Sequence, residues 1–226
     1  MNPLNEFLIT THYYSLVDKI AFVSILGSAC IIRNWNRGLL VVFLIISGFY
    51  FVELLASAVN YFVPPEIGNA WFYNIVQVPE LGVTLWYFVH RLNSSKRRVA
   101  YRVIFLAFIV MHSIITIFVT GWSNLDVYAL VPMTAITAVA ALEYLYELLD
   151  NVQLDPMGQI TFWFAFATVF SNFSSVPITS LYLKISTYDA VLANRIWNIN
   201  DVVYGIWFII TAFGLIWISR KRIPSY

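Results

Sequence analysis

The sequence predicts an all-α polytopic membrane protein, a single seven-transmembrane-helix bundle with its N-terminus outside and its C-terminus cytoplasmic. Three observations carry that expectation. Hydrophobic residues make up 60% of the chain and charged residues only 11%, where a soluble domain carries roughly a quarter charged. Seven apolar runs each approach the ~20 residues that a helix needs to cross the hydrocarbon core. The basic residues gather in alternate links between those runs.

The runs lie at 15–32, 38–62, 69–91, 100–121, 125–149, 159–183 and 196–219. The first follows MNPLNEFLITTH, which has no basic n-region, continuous apolar h-region or small-residue cleavage pattern, so it reads as a retained helix and not a cleaved signal. The second and third are separated by PPEIG, a sharp break between two long apolar stretches. The third, WFYNIVQVPELGVTLWYF at its centre, carries Asn74, Gln77, Pro79 and Glu80 inside an aromatic-rich run. RLNSSKRR ends it, WSN separates the fourth from the fifth, DNVQLDPMG the fifth from the sixth, and KISTYDAVLANR the sixth from the seventh. The links leave no room for a soluble domain.

Arg33 and Arg37 flank the first link, Arg91, Lys96, Arg97, Arg98 and Arg102 the third, and Arg220, Lys221 and Arg222 follow the seventh run. These are ten of the 13 basic residues, and basic residues in short links stay on the cytoplasmic side. The fifth link faces the same side but is acidic, with Glu147, Asp150 and Asp155 nearby. Acidic residues weigh little in that rule. Charges of both signs on one face read either as solvated loops or as a docking surface for a cytoplasmic signalling protein.

Composition and motifs exclude several classes. A net charge of +1 with no basic run interleaved with aromatics argues against nucleic acid. One cysteine, Cys30, leaves no internal disulfide or cysteine-based metal site. Seven-helix pigments hold retinal on a lysine in the last helix, but the lysines here are Lys19, Lys96, Lys184 and Lys221, so no covalent retinal cofactor is expected. The only histidines are His12, His90 and His112, too few within the membrane for a zinc centre. GxSxG, HExxH, P-loop and GxGxxG motifs are missing, so the chain does not read as an enzyme of those kinds.

The candidate functional residues are the polar groups that the runs carry to membrane depth, where an ionisable side chain costs a few kcal/mol or more and asks for a reason. Glu80, His112 and Asn172 fall near the midplane, Glu53 and Asp201 nearer the outside. Helical spacing aligns Tyr50, Glu53, Ser57 and Asn60 on one face of the second run. It aligns Asn74, Gln77, Glu80 and Thr84 on the third, and Trp197, Asp201, Tyr204 and Thr211 on the seventh, with Asn198 and Asn200 at that stripe's outer end. Three such stripes must face the bundle interior and would line a pocket open to the outside. Pro79, Pro132 and Pro177 each remove a ladder hydrogen bond and are the expected kinks. Structural readings stand beside these: a buried carboxylate or a lone histidine can simply bond a neighbouring helix. Most of the eighteen Phe, fourteen Tyr and eight Trp are expected at the interfaces and toward lipid.

A short similarity relates Tyr73-Asn74-Ile75-Val76-Gln77-Val78 to Trp197-Asn198-Ile199-Asn200-Asp201-Val202, as two parallel three-helix units would show. It does not extend into the preceding runs. The sequence therefore leads first to a sensor or receptor-like protein that binds a small polar or cationic ligand and signals through a cytoplasmic partner. A secondary transporter, proton-coupled through Glu53 and Glu80, is the alternative, and a structural subunit whose polar stripes are assembly contacts is a third.

Overall fold

A computed structural model describes residues 16–31, 36–62, 70–121, 126–151, 155–186 and 188–221. His12, most of the first, second and fourth links, and Arg222 lie outside the described residues, as do the side chains of Ser57 and Asn60. Among the described residues seven long helices run in succession: α1 Leu16–Ile31, α2 Arg37–Phe62, α3 Ala70–Val89, α4 Ser95–Ile115, α5 Val127–Asp150, α6 Ile160–Ser186 and α7 Ala190–Lys221. A π-helical turn, Thr116–Thr120, continues α4, and a 3-10 turn, Pro156–Gly158, precedes α6. No strand occurs among the described residues.

Five helices among the described residues, α2 and α4 to α7, are long and apolar enough to cross a membrane, so this is an all-helical membrane protein. The other two fall short for visible reasons. The described part of α1 has 16 residues, and α3 is diluted by Asn74, Gln77 and Glu80. Diluting polar residues are tolerable where a helix is covered by its neighbours and not by lipid, and α3 contacts α2, α4 and α5.

Helix boundaries follow local chemistry more than hydropathy. Ser94 caps α4, its hydroxyl accepting from the Arg97 amide at 3.4 Å, so α4 starts in the basic segment and not near residue 100. Asp189 accepts from the Val191 and Leu192 amides, both at 3.0 Å, and starts α7 at Ala190. The expected twelve-residue link 184–195 is thus mostly helix. Pro79, Pro132 and Pro177 all lie inside unbroken helices. Each leaves the carbonyl one turn earlier, of Ile75, Tyr128 and Phe173, without its ladder donor.

Consecutive helices pack as antiparallel neighbours and α1 closes the ring on α7. Arg37, Arg91, Lys96, Arg97, Arg98, Arg102, Arg220 and Lys221 lie at or near the helix ends on one side of the bundle, called the basic end below; α1, α3, α5 and α7 begin at the opposite end. Inside the ring lies an aromatic core. Phe164 of α6 meets Tyr87 edge-on at 4.9 Å, stacks on Phe88 at 5.3 Å and meets Trp207 at 5.8 Å. Phe49 of α2 adds a contact to Trp207 at 5.5 Å. Aromatics expected mainly at the membrane surface thus join four helices, because offset and edge-on rings combine area with favourable quadrupole geometry. The Trp207 indole N–H is satisfied by the Thr168 hydroxyl at 3.2 Å.

The α6–α7 contact is the closest in the bundle. A Cβ on Gly214 would overlap Trp163 Cβ and Cγ, so only glycine lets these backbones approach. Gly48 on α2 has nothing within 4 Å of a built Cβ. Gly214→Leu is therefore expected to cost at least about 1–3 kcal/mol by overpacking, whereas Gly48→Ala should gain up to about 1 kcal/mol of helix propensity. Unfolding of the two variants in the same detergent checks the opposite signs.

Candidate functional site: two polar clusters joined by α3

Helix α3 has 20 residues and carries polar groups on two faces. At 100° per residue, Tyr73, Gln77, Glu80 and Thr84 fall within one narrow stripe, whereas Asn74 points to a neighbouring face. The expected alignment of Asn74 with Glu80 is accordingly replaced by two separate clusters.

Asn74 belongs to the first cluster, with α4 and α5. His112 Nδ1 lies 2.7 Å from Asp126 Oδ2, and its Nε2 lies 2.8 Å from the Asn74 carbonyl. A carbonyl can only accept, so Nε2 carries a proton, and a second proton is held between Nδ1 and the carboxylate. Thr116 donates to the same carboxylate oxygen at 3.2 Å, the Ala129 amide donates to Oδ1 at 3.1 Å, and the Asp126 amide donates to Asn74 Oδ1 at 2.9 Å. Asp126 is fully buried and also serves as the α5 N-cap. Phe108 stacks on the imidazole at 5.7 Å. The π-turn begins at Thr116 and ends at Gly121, whose φ of +74° is a left-handed conformation that suits glycine. Because α4 starts at Ser95, His112 sits in its far half, closer to the end bearing Asp126 than the expected midplane depth.

Tyr73, Gln77 and Glu80 face the second cluster, with α2 and α7. The Tyr73 hydroxyl donates to Glu53 Oε2 at 3.0 Å. Glu53, Glu80 and Asp201 all act electrostatically on both Tyr73 and Tyr204, and Glu53 acts on Glu80. Three carboxylates from three helices therefore share one neighbourhood with two phenols. Among the described residues no three His, Cys, Asp or Glu side chains converge as metal ligands. Tyr204 retains 41% of its surface. The Gln77 Oε1 atom is buried with no hydrogen-bond partner among the described residues.

The remaining expected residues are dispersed. Asn172 is half-buried and Asn198 is exposed, whereas Asn200, about 200° further round the helix, is buried with its Oδ1 unpartnered among the described residues. Asn74 is buried and bonded where Asn198 is exposed, so the similar hexapeptides at 73–78 and 197–202 use their asparagines differently. Sequence reasoning also passed over Tyr73, Asp126 and the buried α6 stripe Thr168, Ser171, Ser175 and Thr179. The stripe's spacing of i, i+3, i+7 and i+11 made it findable.

At the basic end α3 hands over to a clamped turn. The Arg91 guanidinium lies 3.7 Å over the Tyr87 ring and donates to the Tyr87 carbonyl at 2.7 Å. Glu147 of α5 accepts from the Asn93 amide at 2.8 Å and pairs with Arg97 at 2.6 Å, while Glu143 approaches Arg97 at 3.5 Å. Acidic and basic groups expected as patches of both signs thus neutralise one another in part. A concavity of about 560 Å³ lies elsewhere, along α4 between Val103 and Ile115, lined by apolar side chains. Comparison with protein-family models, characterised proteins and solved structures finds no match to this chain.

Proposed function

We propose that the chain spans the membrane seven times with its basic end in the cytoplasm, and that it is a receptor-like sensor of a small organic cation. The ligand site is the cluster of Glu53, Tyr73, Glu80, Asp201 and Tyr204. The observation that carries this reading is that one continuous helix, α3, presents Tyr73 and Glu80 to the carboxylate cluster and ends at the Glu147-clamped turn. Three carboxylates supply the charge that recognises a cation, and the phenols supply ring faces that attract it. A ligand that draws Glu53, Glu80 and Asp201 together favours one arrangement of α2, α3 and α7, and α3 carries the difference to the turn that a cytoplasmic protein would read.

The test is thermal stabilisation of the purified protein by primary amines, quaternary ammonium ions and guanidinium compounds, with matched anions and neutral sugars as controls. A cation at a hundredfold excess over its dissociation constant stabilises by about 2.7 kcal/mol. The proposal expects stabilisation by at least one cation and none by the anions. Stabilisation by anions alone, or by no member of the panel, contradicts it. Flux of the hit into proteoliposomes separates a sensor from the proton-coupled carrier that the same carboxylates could serve.

A further inference from the structure

We propose that the exposed face of α4 is a binding site for one anionic phospholipid of the leaflet at the basic end. Its headgroup would lie on Lys96 and Arg102, and an acyl chain would occupy the apolar concavity below them. The site is independent of the carboxylate cluster and rests only on the membrane reading.

Two separate features meet on this face. Lys96, Val99, Val103, Leu106, Val110 and Ile114 recur at three- and four-residue steps, so they form one stripe along the helix. Every apolar member of that stripe is at least half exposed. Within it the small side chain of Ala107, between Val103, Leu106, Val110 and Met111, leaves the ~560 Å³ concavity. From Val103 to Ile115 the concavity runs about 18 Å at 1.5 Å per residue, close to the ~15 Å depth of half the hydrocarbon core. Its upper end is basic. Lys96 stands on the stripe, and Arg102 lies one turn from Leu106 on the stripe's flank.

These cations are available, unlike their neighbour. Arg97 is held by Glu143 and Glu147, whereas Lys96, Arg98 and Arg102 have no acidic partner within ion-pair distance among the described residues. An open apolar concavity on α4, with Lys96 and Arg102 beyond its Val103 end and without acidic partners among the described residues, matches an anionic phospholipid and not a zwitterionic one. A cytoplasmic protein would be matched by the charges but not by the concavity, which continues down the helix to membrane depth.

The experiment is native mass spectrometry of the full chain in detergent, titrated with phosphatidylglycerol or phosphatidylcholine of identical acyl chains. The wild type should bind phosphatidylglycerol more tightly, with the preference weakening as salt rises. Each neutralised cation is expected to lower that affinity about fivefold, so Lys96→Gln with Arg102→Gln should lower it about thirtyfold and leave phosphatidylcholine unchanged. Ala107→Phe, which fills the concavity, should weaken both lipids. Arg195→Gln, an exposed charge at the other end of the bundle, should change neither. Equal affinity of the wild type for the two lipids overturns the proposal, as does a loss in Arg195→Gln equal to that in the double variant. If the double variant does not fold, the wild-type salt dependence and Ala107→Phe still decide: a salt-independent preference, or unaltered binding by Ala107→Phe, overturns it.

Discussion

Replacing His112 by alanine is expected to cost at least about 1–3 kcal/mol of stability, the penalty of leaving a buried hydrogen-bonding group without its partner. The cause is specific to the cluster. Without the imidazole, the buried Asp126 carboxyl loses its 2.7 Å contact to Nδ1, and the Asn74 carbonyl loses the Nε2 donor at 2.8 Å. Thr116 and Ala129 still donate to Asp126, which keeps the loss below the full desolvation cost of a bare carboxylate. Asp126→Ala should be similarly severe, since it leaves the imidazole uncompensated and removes the α5 cap. Because both lesions break one interaction, His112→Ala with Asp126→Ala should be far less than additive. Reversible unfolding of the three variants measures the coupling. Losses that add within about 0.5 kcal/mol would mean that the two side chains act independently.

Glu80→Gln should have the largest effect on ligand binding with little effect on the fold. The substitution keeps the side-chain volume, and the bond from the Thr84 hydroxyl goes to the Glu80 backbone carbonyl at 3.0 Å, which the substitution does not touch. What disappears is one of three carboxyl groups around the site. A hydrogen bond to a charged group is worth about 1.5–3 kcal/mol, so affinity for the stabilising cation should fall about 10- to 150-fold. Tyr73→Phe removes only the donor to Glu53 and should cost less. A Glu80→Gln protein that melts like the wild type and binds the cation equally well would remove Glu80 from the site.

Much of this architecture is legible in the sequence because the bilayer imposes one simple requirement on each run. An apolar stretch of about 20 residues has no comfortable conformation in lipid except a helix, so the helical character of 38–62 or 159–183 follows from composition. Boundaries are less legible, because they depend on single capping bonds such as those of Ser94 and Asp189, which act in the headgroup region where hydropathy has already failed. Helical phase aligns the polar residues within each helix, but which helices bring Glu53, Glu80, Asp201 and Tyr204 into one neighbourhood depends on tertiary packing. Asn74 lies only three residues from Gln77, yet Tyr73 fits the phase of Glu80 better, so the i+3 spacing is a weak guide to which face Asn74 occupies. Asp126 escaped notice for a different reason. At the start of an apolar run it reads as an ordinary cap, and only the tertiary approach of α4 brings His112 to its carboxylate.

The aromatic core illustrates the same division. Phe164 and Trp207 are indistinguishable in sequence from the exposed Phe166 and Phe213, and what separates them is helix rotation, fixed by packing partners far along the chain. Glycine behaves likewise: Gly48 and Gly214 look alike until Trp163 is placed against one of them.

The central claim, that a cation among Glu53, Glu80 and Asp201 is felt at the basic end through α3, is tested most directly by amide hydrogen exchange with and without the stabilising cation. The turn at Asn93–Arg97 reports it, because the Asn93 amide is bonded to Glu147 and the Arg97 amide to Ser94, and opening of such bonds sets the exchange rate. Exchange at these amides is predicted to change on binding in the wild type and to remain unchanged in Glu80→Gln at the same cation concentration. Binding that leaves the turn's exchange untouched in the wild type would contradict the coupling, and an equal change in Glu80→Gln would contradict the site.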